Sequence, residues 1–293
     1  MHAARGENQF LQDADRAYYQ GKIDQSIELY QKAAKEDPKD SQVLLSLGVT
    51  YAKKGLWDKA IETLKKASAL NPQDSEIYVD LSLAYAQKED FDYAVSYAQK
   101  AVKTGSKKSK TYYVLGMAYE GLGQNDKAKD AYTQGLAING RNADIYLALG
   151  NLYSRQKDLN KAIQSYEQAI KNNPKNAFAF SNLAYVYQEK KRDDKAMGYL
   201  IQATQISPKD DVVWYDLGAA YRKNQEISKA IECYQKCVAL KPDSYKAVLS
   251  LAMVYEEKRD LEKAAEYYVR ALSLTKDAKL KDMILKKITR TER

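Results

Sequence analysis

Side chains that could carry catalysis are scarce in this 293-residue chain. The one histidine, His2, stands at the extreme N-terminus, so no imidazole is placed for a nucleophile–base pair or a proton relay. Cys233 and Cys237 are four residues apart, one helical turn. They are expected as small buried core residues, since a zinc site needs more donors nearby. Two cysteines also cannot build a disulfide framework. No G-x-x-x-x-G-K, G-x-G-x-x-G or H-E-x-x-H stretch occurs. Carboxylates are many, but no pair is placed for joint burial. The remaining chemistry is that of binding. The amides of Asn151 and Asn182 both donate to and accept from a peptide backbone. Arg155, Arg222, Tyr113, Met117, Phe178, Tyr185 and Tyr215 are of the types that anchor protein interfaces. The expectation is a non-enzymatic binding protein with no cofactor and no metal.

The elements that would position these groups follow from the prolines. All five, Pro38, Pro72, Pro174, Pro208 and Pro242, fall on one grid of 34 residues, with Ser106 and Gly140 at its two skipped points. Proline lacks an N–H and clashes with the preceding turn, so each marks a helix end. A breaker recurring at this period means one repeated unit. Units starting at 7, 41, 75, 109, 143, 177, 211 and 245 fit without an insertion and cover 7–278. Residues 1–6 are read as an N-terminal tail and 279–293 as the end of a capping helix and its tail.

The eighth, twentieth and twenty-seventh positions of every unit are small, as in Gly150, Ala162 and Ala169. Small residues belong where two helices approach closely, because extra methylenes would overpack the contact. Positions 4, 7, 8 and 11 form one helical stripe and 20, 21, 24, 27 and 28 another. Each unit is therefore expected to be two helices of three to four turns. A short turn with glycine or a charged residue near position 15 joins them. Each pair leaves an apolar face for the next pair to cover.

The pattern aromatic, Leu, Gly, Tyr, Ala, Tyr, Ala, Pro is carried by Tyr146, Leu149, Gly150, Tyr153, Ala162, Tyr166, Ala169 and Pro174. It recurs in Trp214, Leu217, Gly218, Tyr221, Ala230, Tyr234, Cys237 and Pro242. It closely resembles the tetratricopeptide repeat, eight times in phase. The first unit departs, with Asp13 and Ala17 in place of Leu and Tyr, as an end repeat with no upstream neighbour allows. The resemblance implies an all-α solenoid, a right-handed superhelix of helix-turn-helix units. After the last repeat, residues 277–290 form an amphipathic stretch. Leu280, Met283, Ile284 and Ile288 share one face, opposite Lys281, Lys286 and Lys287, which suits a capping helix.

The resemblance also implies that positions 2, 5, 6, 9, 12 and 13 of each first helix line a concave groove. Those positions hold six basic and nine acidic residues, a net of −3 against +8 for the whole chain. The basic excess therefore lies outside the groove, the reverse of what nucleic-acid binding there would need. The recurrent lysine at position 19, as in Lys59 and Lys229, reads as a solvated face.

Members of the family that clamp the C-terminal carboxylate of chaperones use two asparagines and three cations. The matching positions here are Leu147, Asn151, Asn182, Val212 and Asp216, so both amides are present and all three cations are missing. The asparagine ladder of the O-linked sugar transferase's repeats is matched at position 6 only by Asn182. The expected mode is therefore different. Asn151 and Asn182 would grip the main chain of an extended peptide, while Phe178, Tyr185 and Tyr215 take its side chains. Two alternatives stay open: a homo-oligomeric assembly platform, or the recognition region of a larger enzyme. No apolar run approaches the ~20 residues of a membrane span, and no hydrophobic leader is visible. The cytoplasm is the favoured compartment, with a processed exported protein also open.

Overall fold

The computed structural model describes residues 9–291; the expected tail at 1–6, the unit start at 7 and residues 292–293 lie outside them. The described residues hold seventeen α-helices and no strand. The first helices of successive pairs are α1 (Gln9–Tyr19), α3 (Ser41–Lys53), α5 (Ser75–Gln87), α7 (Ser109–Gly121), α9 (Ala143–Arg155), α11 (Ala177–Glu189), α13 (Asp211–Lys223) and α15 (Tyr245–Glu257). The second helices are α2 (Ile23–Glu36), α4 (Trp57–Leu70), α6 (Phe91–Lys103), α8 (Asn125–Ile138), α10 (Leu159–Asn172), α12 (Asp193–Ile206), α14 (Ile227–Leu240) and α16 (Leu261–Leu274), and α17 (Ala278–Thr291) follows. Consecutive helices pack on one another in two compact units, Met1–Ile145 and Tyr146–Arg293. The architecture is an all-α solenoid.

Each local feature has a sequence cause. Asp40, Asp74, Asn142, Asn176 and Asp210 precede first helices, and their side chains accept from backbone N–H groups of the first turn. The residue at position 15 of every unit has positive φ: Gly21, Gly55, Glu89, Gly123, Lys157, Lys191, Gln225 and Arg259. A left-handed residue reverses the chain between helices, and five of these sites hold it without glycine. The helix-ending prolines have a second use. Tyr78 Oη and Trp214 Nε1 donate to the carbonyls of Pro72 and Pro208 at 3.0 and 2.9 Å, tying each repeat to the one before.

The small positions sit where the helices touch. A Cβ on Gly150 would lie 2.5 Å from the Tyr166 ring, and one on Gly116 would lie 2.3 Å from Tyr132. Where the small residue is serine, its hydroxyl reaches the partner helix's backbone: Ser82 Oγ donates to the Ala94 carbonyl at 2.7 Å. The position-7 leucines, from Leu47 to Leu251, are all buried. Cys233 and Cys237 are free thiols inside this core, and burial pushes both up to about 11.

Two surface expectations need correction, and a third gains a contact. The position-19 lysines are exposed, yet each ammonium also lies over the position-11 tyrosine of its own repeat. Lys59, Lys127, Lys161, Lys195, Lys229 and Lys263 stand 5.2–5.8 Å from the ring centroids. In α17, Ile284 is buried, with Leu280 and Ile288 packed beside it, but Met283 is exposed. Lys287 does not face away. It reaches back to Glu256 on α15 at 2.9 Å, because α17 lies across the end of the last pair.

Candidate functional site

The nine residues singled out for binding divide between the units. Tyr113 and Met117 stand on α7 in the first unit. Asn151, Arg155, Phe178, Asn182, Tyr185, Tyr215 and Arg222 stand on α9, α11 and α13 in the second. Phe178, Tyr185 and Arg155 are exposed, and the other six are half-buried. Some neighbouring first helices pack directly on each other, α3 on α5, α5 on α7 and α11 on α13.

In the second unit, Asn182 Nδ2 donates to Asn151 Oδ1 at 2.9 Å, joining α11 to α9. The same oxygen accepts from Tyr166 Oη at 2.8 Å. Tyr166 is 2% exposed and comes from the second helix of its repeat, and burial pushes its hydroxyl up to about 12. Asn151 is thus first an acceptor for a core tyrosine. The same device recurs at three of the four other units with tyrosine at position 24, Tyr234 being the exception. Tyr30 donates to Asp15, Tyr132 to Glu120 at 2.5 Å, and Tyr268 to Glu256 at 2.5 Å. A long ring crosses the helix pair and brings its hydroxyl to the first-helix face, so that face must supply an acceptor. The bonds of the amide pair engage Asn151 through its oxygen and Asn182 through its nitrogen.

Arg222 is also engaged. Its Nε and Nη2 hold Glu257 Oε1 on α15 at 3.0 and 2.6 Å, and Nη1 lies 3.8 Å from Met253 Sδ. Tyr215 packs its ring on Tyr234, centroids 5.6 Å apart, and Tyr113 does the same on Tyr132 at 6.3 Å. The rings that remain outward are Phe178, 61% exposed, and Tyr185, 51% exposed. Val212, which holds the same position of its unit as Phe178, is 52% exposed beside them in the sequence register.

Two cavities are lined by first-helix residues at the positions expected to face a ligand. In the second unit Val212, Tyr215, Asp216, Tyr245 and Lys246 line one of about 510 Å³. Asp216 is pushed up to about 6, by burial first and by Asp210 second. The first unit holds another of about 420 Å³, lined by Tyr18, Val49, Trp57, Asp80 and Leu83. Sequence reasoning passed over this cavity. Its signal was legible: Val49 and Leu83 put an apolar residue at position 9 of two successive units.

Among solved structures, the yeast Tom70 crystal structure matches with a TM-score of 0.69 at 18% identity, covering 99% of this chain and 65% of that one. The APC/C hetero-tetramer Cut9–Hcn1 matches at 0.64 and 17% identity, covering 97% of this chain and 55% of that one. A Pseudomonas aeruginosa PilF structure matches at 0.63 and 19% identity, covering 73% of this chain and 97% of that one. The chain therefore spans only part of the Tom70 and Cut9–Hcn1 chains, and at these identities the likeness is one of fold. Comparison with curated proteins gave no match. Tetratricopeptide-repeat models match residues 17–81 and 75–104. Residues 93–283 match the family described as Cilia and flagella-associated protein 70 C-terminal domain. With more than half its length in that match, the chain belongs to this family and, with it, to the tetratricopeptide-repeat proteins.

Proposed function

We propose that the protein is a non-enzymatic scaffold that binds a protein partner in extended form on the first-helix face of its second unit. The observation that carries this reading is the exposure of Phe178, Tyr185 and Val212 there, at 61, 51 and 52%. Large apolar groups held outward on rigid helices are suited to bury against another chain. Asn151 Nδ2 and Asn182 Oδ1 lie on the same face and would pair with a main chain. The helices are packed before the ligand arrives, so the ligand bears most of the ordering cost. Nucleic acid is disfavoured by the acidic balance of the first-helix positions. Among the described residues no helix is long and apolar enough to cross a membrane.

The test is affinity capture with the intact chain and with a Phe178→Ala, Tyr185→Ala variant. Both side chains are exposed, so their truncation leaves the core intact, unlike that of Tyr215. Loss of a captured protein by the variant supports the reading, and an unchanged set of captured proteins refutes it. Exposed Val269, Met283 and Leu285 on α16 and α17 favour self-association as a second reading. Mass by light scattering over a concentration series decides that, since a constant monomer mass rules it out.

A further inference from the structure

Most acidic side chains at the lining positions of the first helices already have a partner. Of the nine acidic residues on its lining positions, seven have a partner. Glu76 pairs with Lys108, Asp80 with Lys110, Glu189 with Lys157, Glu256 with Lys287 and Glu257 with Arg222, while Asp15 and Glu120 accept from tyrosine hydroxyls. Of the other two, Asp144 is in water. Asp216 is half-buried, and no cation pairs with it among the described residues.

The repeat supplies an internal control. Asp80 holds the sixth position of its unit, as Asp216 does, and its carboxylate meets Lys110, second in the next unit, at 3.6 Å. The residue equivalent to Lys110 beside Asp216 is Lys246. That bridge is not made. Instead Asp216 and Lys246 both line the cavity of about 510 Å³, and Lys241, also on its wall, does not reach the carboxylate either. The volume is that of a small-ligand site. Tyr215, Tyr245 and Val212 supply rings and an apolar wall beside the carboxylate. An aliphatic stem ending in a cation fits such a lining: the stem packs on apolar surface, and the charge meets the carboxylate and the ring faces.

We propose that this cavity takes the lysine or arginine side chain of an extended partner segment, with its charge against Asp216 and its stem against Tyr215 and Val212. This rests on the reading of the second unit's first-helix face as a protein-binding surface. Val212 joins the two, since it lines the cavity and is also one of the exposed apolar groups of that face. The cost of holding an unpaired carboxylate half-buried is the expected signature of a group awaiting a ligand charge.

The test selects random linear peptides displayed on phage against the intact chain, Asp216→Asn and Lys246→Ala. On the natural chain the selected peptides should share a basic residue at one fixed position. Asp216→Asn should lose that preference and keep the rest of the motif, which also shows that the variant is folded. A synthetic peptide with norleucine at that position should bind the natural chain about 10-fold more weakly, the value of one charge-assisted contact. It should bind Asp216→Asn no more weakly than the basic peptide does. A motif without a basic residue, or one that survives Asp216→Asn, overturns the inference and leaves the peptide-binding reading standing. A basic preference that appears only in Lys246→Ala also overturns it, because Asp216 is then held by Lys246. If no form of the protein selects any peptide, the peptide-binding reading fails and the inference falls with it.

Discussion

Asp216→Asn removes a charge that the fold half-buries with no counter-ion among the described residues. In the folded chain this carboxyl is raised from 3.8 to about 6. Each unit of difference is worth about 1.36 kcal/mol, so ionised Asp216 costs at most about 3 kcal/mol. Its partial exposure screens the effect, and about 1–2 kcal/mol is expected. Because the folded value is the higher one, the folded chain binds the proton more tightly than the unfolded chain. The penalty is present in full above pH 6, shrinks as pH falls from about 6 to 3.8, and is absent below that. The Asn variant should therefore be the more stable at pH 7.5, and the two chains should converge near pH 4. Trp214 sits two residues away on α13, and Trp57 is the only other tryptophan. Urea denaturation followed by Trp214 fluorescence in a Trp57→Phe background reads the right part of the chain. A difference that is zero at pH 7.5, or constant from pH 4 to 8, would refute the reasoning. A stability gain on removing a polar residue is the usual mark of a site kept for binding rather than for folding.

Other perturbations follow from the packing. Gly150→Val forces methyl groups into the Tyr166 ring, 2.5 Å from the new Cβ, and should cost about 1–3 kcal/mol in urea denaturation; an unchanged midpoint would show that the helix pair is not closely packed there. Asn151→Ala strands the buried Tyr166 hydroxyl and should cost about 1–3 kcal/mol, but much less in a Tyr166→Phe background, so the double-mutant cycle is the measurement. Lys191→Gly relieves a left-handed residue, φ 56°, and should raise the thermal midpoint by an amount worth about 0.5–1 kcal/mol. Lys229→Met removes the ammonium 5.2 Å from the Tyr221 ring and should lower stability by about 0.5 kcal/mol, a loss visible in the same melts.

The repeat was legible because its causes are local or periodic. Pro72 ends a helix wherever it stands, the residue at position 15 must reverse the chain, and Leu183 is buried because its phase repeats that of Leu81. The face of the first helices was legible only in outline. Periodicity marks Asn151, Arg222 and Asp216 as three polar groups of one kind. The partners that separate them lie 15 and 35 residues away in the first two cases, and the third has none among the described residues. The position-19 lysines escaped in the same way. Lys161 is eight residues from Tyr153, and only the closing of the helix pair brings its ammonium over the ring at 5.4 Å.

By itself, then, the sequence determined the helices, their caps and turns, the buried stripe and the family. These depend on backbone propensity and on a pattern repeated at 34 residues. Tertiary structure decided which first-helix polar groups are already satisfied and which are not. It turned Asn151 to a core tyrosine and Arg222 to Glu257, held Phe178 outward, and left Asp216 beside a cavity. The physical reason is that a hydrogen bond or ion pair forms only within about 3–4 Å. Whether two side chains on neighbouring helices close that gap depends on side-chain length and helix offset, which a one-dimensional period does not carry.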